Sequence, residues 1–336
     1  MKKHHTPDME RGRSAEFERS ASLETLLAEV NGAIGDVLAA PYERPRYPVI
    51  LIMGAPRSGT TLTSQWLSAL GPFSYPSNLA ARFYANPYLG ARIQQILVDA
   101  DHGNQLGLNR SQAFSSALGK TEGALAPSEF WYFWRQFFSF GEIQTLSDAA
   151  LDAADGAGFL RGLAGLEAAF DKPLVLKGMI MDWHIPYLDS LLDKVVFLNV
   201  ERDPFYAAQS LYFARERFFS DPTRWYSFKP PEYETLKKQS VPVQLAGQIH
   251  YTRSAVAAGL AKVDRARKLT FAYEDFCRDP AKVYAALESR LARQAYGPLP
   301  AYDGQQRFDA TNTVKLDDQM AAALREALQQ FGESCP

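Results

Sequence analysis

Cysteine is scarce in this chain: Cys277 and Cys335 are the only two in 336 residues. Two thiols build no disulfide framework, which excludes the small stapled folds of secreted domains and points to a reducing, cytoplasmic compartment. Long apolar runs are missing as well. A membrane-spanning helix needs roughly 18 uninterrupted apolar residues, and the most aromatic stretch, FWYFWRQFF at 130–138, is broken by Arg135 and Gln136. An excess of one charge is also absent: 36 Lys and Arg oppose 38 Asp and Glu, a formal net charge of −2. That balance excludes broad electrostatic binding of nucleic acid or anionic membranes but leaves room for a local basic pocket. The opening segment MKKHHTPDMERGRSAEFERS has no apolar core and does not read as a secretory signal. What is present, 46% apolar and 22% charged residues, suits a globular protein with a substantial core.

Along the chain, residues 1–21 read as a disordered tail and 22–47 as a helix with a linker. The helix follows from Leu23, Leu26, Leu27, Val30, Ile34 and Val37 at near-helical spacing. Three prolines in PYERPRYP then mark the linker. Residues 48–336 read as one α/β domain. Short apolar runs at 49–54, 173–177, 194–200 and 268–273 predict buried parallel strands. Helical patterns fill 186–193, 204–217, 242–265, 280–292 and 317–331 between and after them. Strands separated by helices imply a doubly wound parallel sheet flanked by helices, of the phosphate-loop type. About 75–170 carries no clear strand and predicts a mostly helical insertion, folded over the carboxyl edge of the sheet where such folds bind ligands.

GAPRSGTT (54–61) follows the first strand. It matches the phosphate-cradling pattern G-x-x-x-x-G-K-[ST] at Gly54, Gly59 and Thr61. Thr60, however, stands where the lysine belongs, and the cation sits inside the loop as Arg57. Backbone N–H groups of such a turn and the following helix N-terminus converge on an anion, and Ser58, Thr60 and Thr61 add hydroxyl donors. A triphosphate would leave its terminal charge poorly matched. One phosphate joined to one further anionic group fits better, with Arg57 over the junction.

A second anion corner is written in LNVERDPFYAAQS. Arg202 ends a strand, Asp203 caps a helix, Pro204 opens it, and Ser210 follows eight positions after the arginine. At the helical rise, Ser210 stands about 10 Å along the axis, within reach of a phosphate that Arg202 holds.

Together these segments resemble the sulfotransferases that use 3′-phosphoadenosine 5′-phosphosulfate (PAPS). GAPRSGTT is similar to that family's 5′-phosphosulfate loop, ERDPFYAAQS to its 3′-phosphate site, and FAYEDFCRDP (271–280) to a stretch whose tyrosine lies near adenine. The resemblance implies that Arg57, Ser58, Gly59, Thr60 and Thr61 hold the phosphosulfate, that Arg202 and Ser210 hold the 3′-phosphate, and that Tyr273 lies by the base. It also implies a donor that needs no metal ion, and a hydroxyl-bearing acceptor such as a carbohydrate, a glycolipid or a small metabolite. The pattern is nearer the divergent bacterial and carbohydrate-directed branches. Leu62 replaces a customary tryptophan, and the customary C-terminal basic stretch is absent, leaving Arg307 as a substitute candidate.

In-line transfer calls for cations at the breaking bond, for which Arg57 comes first and Lys177, at the end of VLKG, second. The catalytic base is less plain. Met179 occupies the place of the histidine in the cytosolic enzymes, and SYPSNLAARF offers Ser77 and Asn78 where other branches carry a glutamate. Glu129 and His184 are the leading candidates, ahead of Glu122 and Asp182. The rings at 130–138 suit either the core of the insertion or an acceptor wall, and RWYSFKPPEY (224–233) reads as a mobile lid. Two other functions remain open: a phosphate-loop kinase or nucleotidase, and a non-catalytic binder of PAPS or its bisphosphate product.

Overall fold

The computed structural model describes residues 13–14, 20–34, 42–100, 103–108 and 116–333. Most of the expected N-terminal tail, and the end of the helix expected up to residue 38, lie outside the described residues. The first helix, α1, is described as Ala21–Ile34. It docks through buried Asn31, whose side chain donates to Arg82 O at 2.8 Å and accepts from Ala85 N at 3.0 Å.

Four parallel strands form the central sheet: β1 (Val49–Met53), β2 (Val175–Lys177), β3 (Val195–Glu201) and β4 (Lys268–Ala272). Their order is β2-β1-β3-β4, with Ile52 opposite Lys177 and Leu198. The chain thus crosses over on both sides of β1, the doubly wound arrangement expected from the alternating pattern. Side chains alternate across a strand, so β1 feeds two cores at once. Val49, Leu51 and Met53 join Leu176 and Phe197 on one face, under the insertion. Ile50 and Ile52 join Val175, Val196 and Leu198 on the other. Burial on both faces explains why β1, β2 and β3 read as continuous apolar runs, whereas the edge strand β4 is only partly buried.

The second face is covered by α2 (Thr60–Ala69), α9 (Tyr273–Arg278) and α10 (Pro280–Ala292). At the far side α7 (Pro204–Phe219), α8 (Val241–Ala261) and α11 (Asp318–Gln330) share a third cluster around Phe205, Ile249 and Leu324. The insertion contributes α3 (Pro87–Gln94), α4 (Trp131–Phe137) and α5 (Gly156–Phe170), and α6 (Ile185–Leu191) follows β2.

The insertion is helical as expected, with one addition. Ser116–Ala117 and Lys120–Thr121 pair as a small antiparallel hairpin. Its turn residues Leu118 and Gly119 have φ of 52° and 91°, the double positive φ that two-residue hairpin loops favour. The aromatic run divides by position. Phe130, Phe133, Trp134 and Phe138 are buried in the core, whereas Trp131 and Tyr132 line a cavity. Among the described residues no helix is long and apolar enough to cross a membrane.

Candidate active site

The carboxyl ends of β1, β2 and β3 deliver Gly54, Lys177 and Arg202 to one edge of the sheet. The loop after β1 turns sharply into α2. Gly59, its cap residue, has φ 104°, and a Cβ there would lie 2.4 Å from Tyr273 Cδ2. Only glycine meets both demands. Arg57 also adopts a left-handed backbone, φ 68°, a conformation that costs a side-chain-bearing residue on the order of 1 kcal/mol and recurs at functional sites. The first N–H groups of α2 have no partner within the helix, so they and its dipole favour an anion in front of the loop.

Arg57 Nε donates to Ser210 Oγ at 3.0 Å, and Arg202 Nη1 donates to the carbonyl of Arg57 at 3.1 Å. The two anion corners read separately in the sequence are therefore one continuous unit. Asp203 caps α7 as its position implied, accepting from Phe205 N at 2.8 Å. Arg202 is itself buried and its guanidinium lies over the Tyr273 ring, 4.8 Å from the centroid. Burial lowers its pKa, with Tyr273 and Glu274 opposing. Its other bonds go to Thr311 O at 2.9 Å and Asn312 Oδ1 at 2.8 Å. This closing segment was not legible as such. Arg307, the expected substitute, is exposed, and it is Thr311 and Asn312 that reach Arg202.

The other end of the edge holds a polar chain. Buried Lys177 donates to Thr61 Oγ1 at 2.9 Å and to Glu129 Oε1 at 2.6 Å. Trp131 Nε1 donates to the second carboxylate oxygen, Oε2, at 2.6 Å. The Glu129 side chain stays 30% exposed, and that exposure faces the cavity it lines. The hairpin turn lies against this group. A Cβ at Gly119 would stand 3.4 Å from both Glu129 Oε1 and Thr61 Oγ1. Tyr226, whose hydroxyl donates to Leu118 O at 2.9 Å, holds the turn there. Burial raises the pKa of Tyr226 to about 12, Arg57 opposing and Glu129 assisting.

Several expected site residues are placed differently. His184 does not line the cavity. Its Nε2 accepts from Leu146 N at 2.8 Å, and burial lowers its pKa. An imidazole committed to a backbone N–H within the core is poorly placed to deprotonate an acceptor, so His184 is corrected from candidate base to core residue. Asp182 is wholly buried beneath the loop and accepts from Gly54 N at 3.3 Å. Burial raises its carboxyl well above the ordinary carboxylate range. Glu122 is exposed and off the cavity, while Ser77 and Asn78 are bonded to Gln94 and to Thr121. Thr60 Oγ1 turns to Met179 Sδ, at 3.1 Å, and Ser58 Oγ is buried away from the cavity. Of the three expected hydroxyl donors in the loop, Thr61 is the one joined to the polar chain of Lys177 and Glu129.

The segment 224–233, expected as a mobile lid, is instead packed. Gln248 Nε2 donates to Tyr226 O at 2.8 Å and Phe228 O at 2.9 Å, and Gln248 accepts from fully buried Arg215. Lys229 pairs with Glu142. Tyr226 and Phe228 are cavity wall held from behind, whereas Trp225 and Tyr233 pack with Leu236 in a small cluster of their own.

The cavity measures about 850 Å³. It runs from Arg57 and Arg202 past Glu129 to an outer wall of Leu23 and Glu24 on α1, beside Tyr132. A second depression, about 650 Å³, opens between Glu288 on α10 and Pro298 in the segment after it, and none of the site residues lines it. Among the described residues no group of three or more His, Cys, Asp or Glu side chains is arranged to hold a metal ion.

Comparisons with known proteins bear on the family and the fold. A model of the sulfotransferase family matches residues 48–294. Among solved structures, sulfotransferase STF9 from Mycobacterium avium superposes with a TM-score of 0.50 at 20% identity, covering 92% of this chain and 82% of that one. Sulfotransferase STF1 from Mycobacterium tuberculosis gives 0.49 at 14% identity, covering 93% and 79%. Identities this low speak to the fold alone. No curated protein matches the chain.

Proposed function

The chain belongs to the sulfotransferase family, and from that premise we propose that it moves a sulfuryl group from PAPS to a hydroxyl of an acceptor that enters beside Glu129. The observation that carries this reading is the single continuous edge on which Arg202 and Ser210 meet Arg57, with Lys177, Thr61 and Glu129 beyond. Two cationic ends suit a donor with a 3′-phosphate at one end and a phosphosulfate at the other. A kinase or nucleotidase would want a lysine where Thr60 stands.

In the proposed reaction the acceptor oxygen attacks sulfur as Glu129 takes its proton. The bond between sulfur and the bridging oxygen breaks, and the electron pair stays on the 5′-phosphate of adenosine 3′,5′-bisphosphate. Arg57 stabilises the charge that grows on that bridging oxygen, and Lys177 faces the sulfuryl oxygens. Both cations interact more strongly with the transition state than with the bound donor, which is what lowers the barrier. Carbohydrate, glycolipid and small-metabolite hydroxyls all remain acceptors of the required chemistry.

Calorimetric titration tests the donor side: adenosine 3′,5′-bisphosphate should bind and ATP with magnesium should not. Transfer of radiolabelled sulfur from PAPS into a panel of hydroxyl acceptors tests the enzyme. Glu129→Gln should abolish that transfer while leaving bisphosphate affinity within twofold. If the substituted chain still transfers label at the wild-type rate, Glu129 is not the base.

A further inference from the structure

We infer that Trp131 is a positioning residue for Glu129, fixing its carboxylate so that it faces the acceptor. This rests on the reading of Glu129 as the base. A glutamate has three rotatable side-chain bonds, and a partly exposed one ordinarily samples many orientations. Here each carboxylate oxygen has its own donor: Lys177 Nζ on Oε1 and the indole N–H on Oε2, both at 2.6 Å. Two donors at different oxygens define the plane of the group. Each oxygen keeps a lone pair for the proton that arrives from the cavity.

The backbone is arranged to make this contact. Residues two apart seldom reach a common point, but Phe130 between them is left-handed, with φ 57°. That turn brings Glu129 and Trp131 to one side while the buried Phe130 ring stacks on Phe133, with centroids 4.6 Å apart. Phe130, the N-cap residue of α4, thus anchors a turn whose left-handed backbone is strained for a bulky side chain. The indole is braced in turn by Phe228, edge to face, with centroids 5.4 Å apart. Phe228 O is bonded to Gln248, so the segment 224–233 connects the buried Arg215 network to the carboxylate through Trp131. The packing of that segment acquires a purpose: it holds the wall that aims the base.

Trp131→Phe keeps the ring and removes the N–H. In the full chain, losing a hydrogen bond to a charged group should slow label transfer from PAPS about ten- to a hundredfold. The affinity for adenosine 3′,5′-bisphosphate should stay within twofold and acceptor KM should change little, because the lost contact touches neither molecule. Trp131→His, which retains a ring N–H, should recover part of the turnover. A spectroscopic readout needs no acceptor. The indole N–H resonance of Trp131, identified by its loss in Trp131→Phe, should move when Glu129→Gln is introduced. Turnover of Trp131→Phe within twofold of wild type, or an indole signal indifferent to Glu129→Gln, would overturn the assignment. A Glu129→Gln chain that transfers normally would instead overturn the base, which is a separate result.

Discussion

Among the described residues Arg202 makes five hydrogen bonds, and none of its direct acceptors there is charged: Asn312 Oδ1 twice, Thr311 O and Oγ1, and Arg57 O. Glu274 reaches it only through Asn312, whose Nδ2 donates to Glu274 Oε1 at 2.6 Å. A buried guanidinium with neutral partners lacks a direct counter-ion, and the 3′-phosphate of the proposed donor supplies one. Charge-assisted hydrogen bonds contribute about 1.5–3 kcal/mol each. Losing one such contact in Arg202→Ala should therefore weaken adenosine 3′,5′-bisphosphate roughly ten- to a hundredfold. The same substitution frees residues 311–312 and the carbonyl of Arg57, and that damage would weaken any nucleotide. The informative quantity is a ratio: calorimetric Kd for adenosine 5′-monophosphate over that for the bisphosphate. Damage to the scaffold cancels in it, and the 3′-phosphate contribution does not. In the wild type the ratio should be large, in Arg202→Ala close to one, and in Arg202→Lys intermediate, because lysine keeps the charge and loses the fork. A ratio that survives Arg202→Ala intact would refute the reasoning and make Arg202 a brace for the loop.

Arg57→Ala should reduce turnover by about 10²–10³, the size expected for one transition-state donor, with a smaller loss of donor affinity; steady-state rates at saturating donor would check it. Gly59→Ala drives a methyl group into Tyr273, at 2.4 Å from Cδ2, on a backbone with φ 104°. It should cost about 1–3 kcal/mol, read as a lower denaturant midpoint, and weaken bisphosphate binding. Asp182 is wholly buried, and burial raises its folded pKa well above 3.8. The folded state then holds a proton that the unfolded chain has released. Its stability contribution is full below the unfolded value and is lost as pH rises toward the folded one. Asp182→Asn, which mimics the protonated form, should gain on the wild type in melting temperature as pH is raised from about 4 to 8; parallel curves would remove Asp182 from the pH dependence.

Much of this was readable in advance because it rests on local rules. The runs at 49–54 and 194–200 became β1 and β3 with ends shifted by a residue, since continuous apolarity follows from a sheet buried on both faces. Asp203 and Pro204 marked the start of α7 by capping chemistry alone. The hairpin at 116–121 was not readable, because each of its strands is two residues long and no periodicity shows in so short a run. Lysine at the end of VLKG and glutamate in APSEF gave no sign of being partners across 48 positions. Likewise, His184 stood second to Glu129 as a candidate base, and nothing in the linear order showed that its ring nitrogen accepts from Leu146 N.

The sequence by itself determined the sheet, the anion loop and the spacing of Arg202 and Ser210, because strand burial, left-handed turns and helix rise are properties of neighbouring residues. Only the tertiary structure decided which carboxylate meets Lys177, that Thr311 and Asn312 reach Arg202, and that Tyr226 and Phe228 are cavity wall. Those choices depend on which distant segments the fold brings within about 3 Å of one another, and hydrogen bonds of that reach leave no trace in linear order.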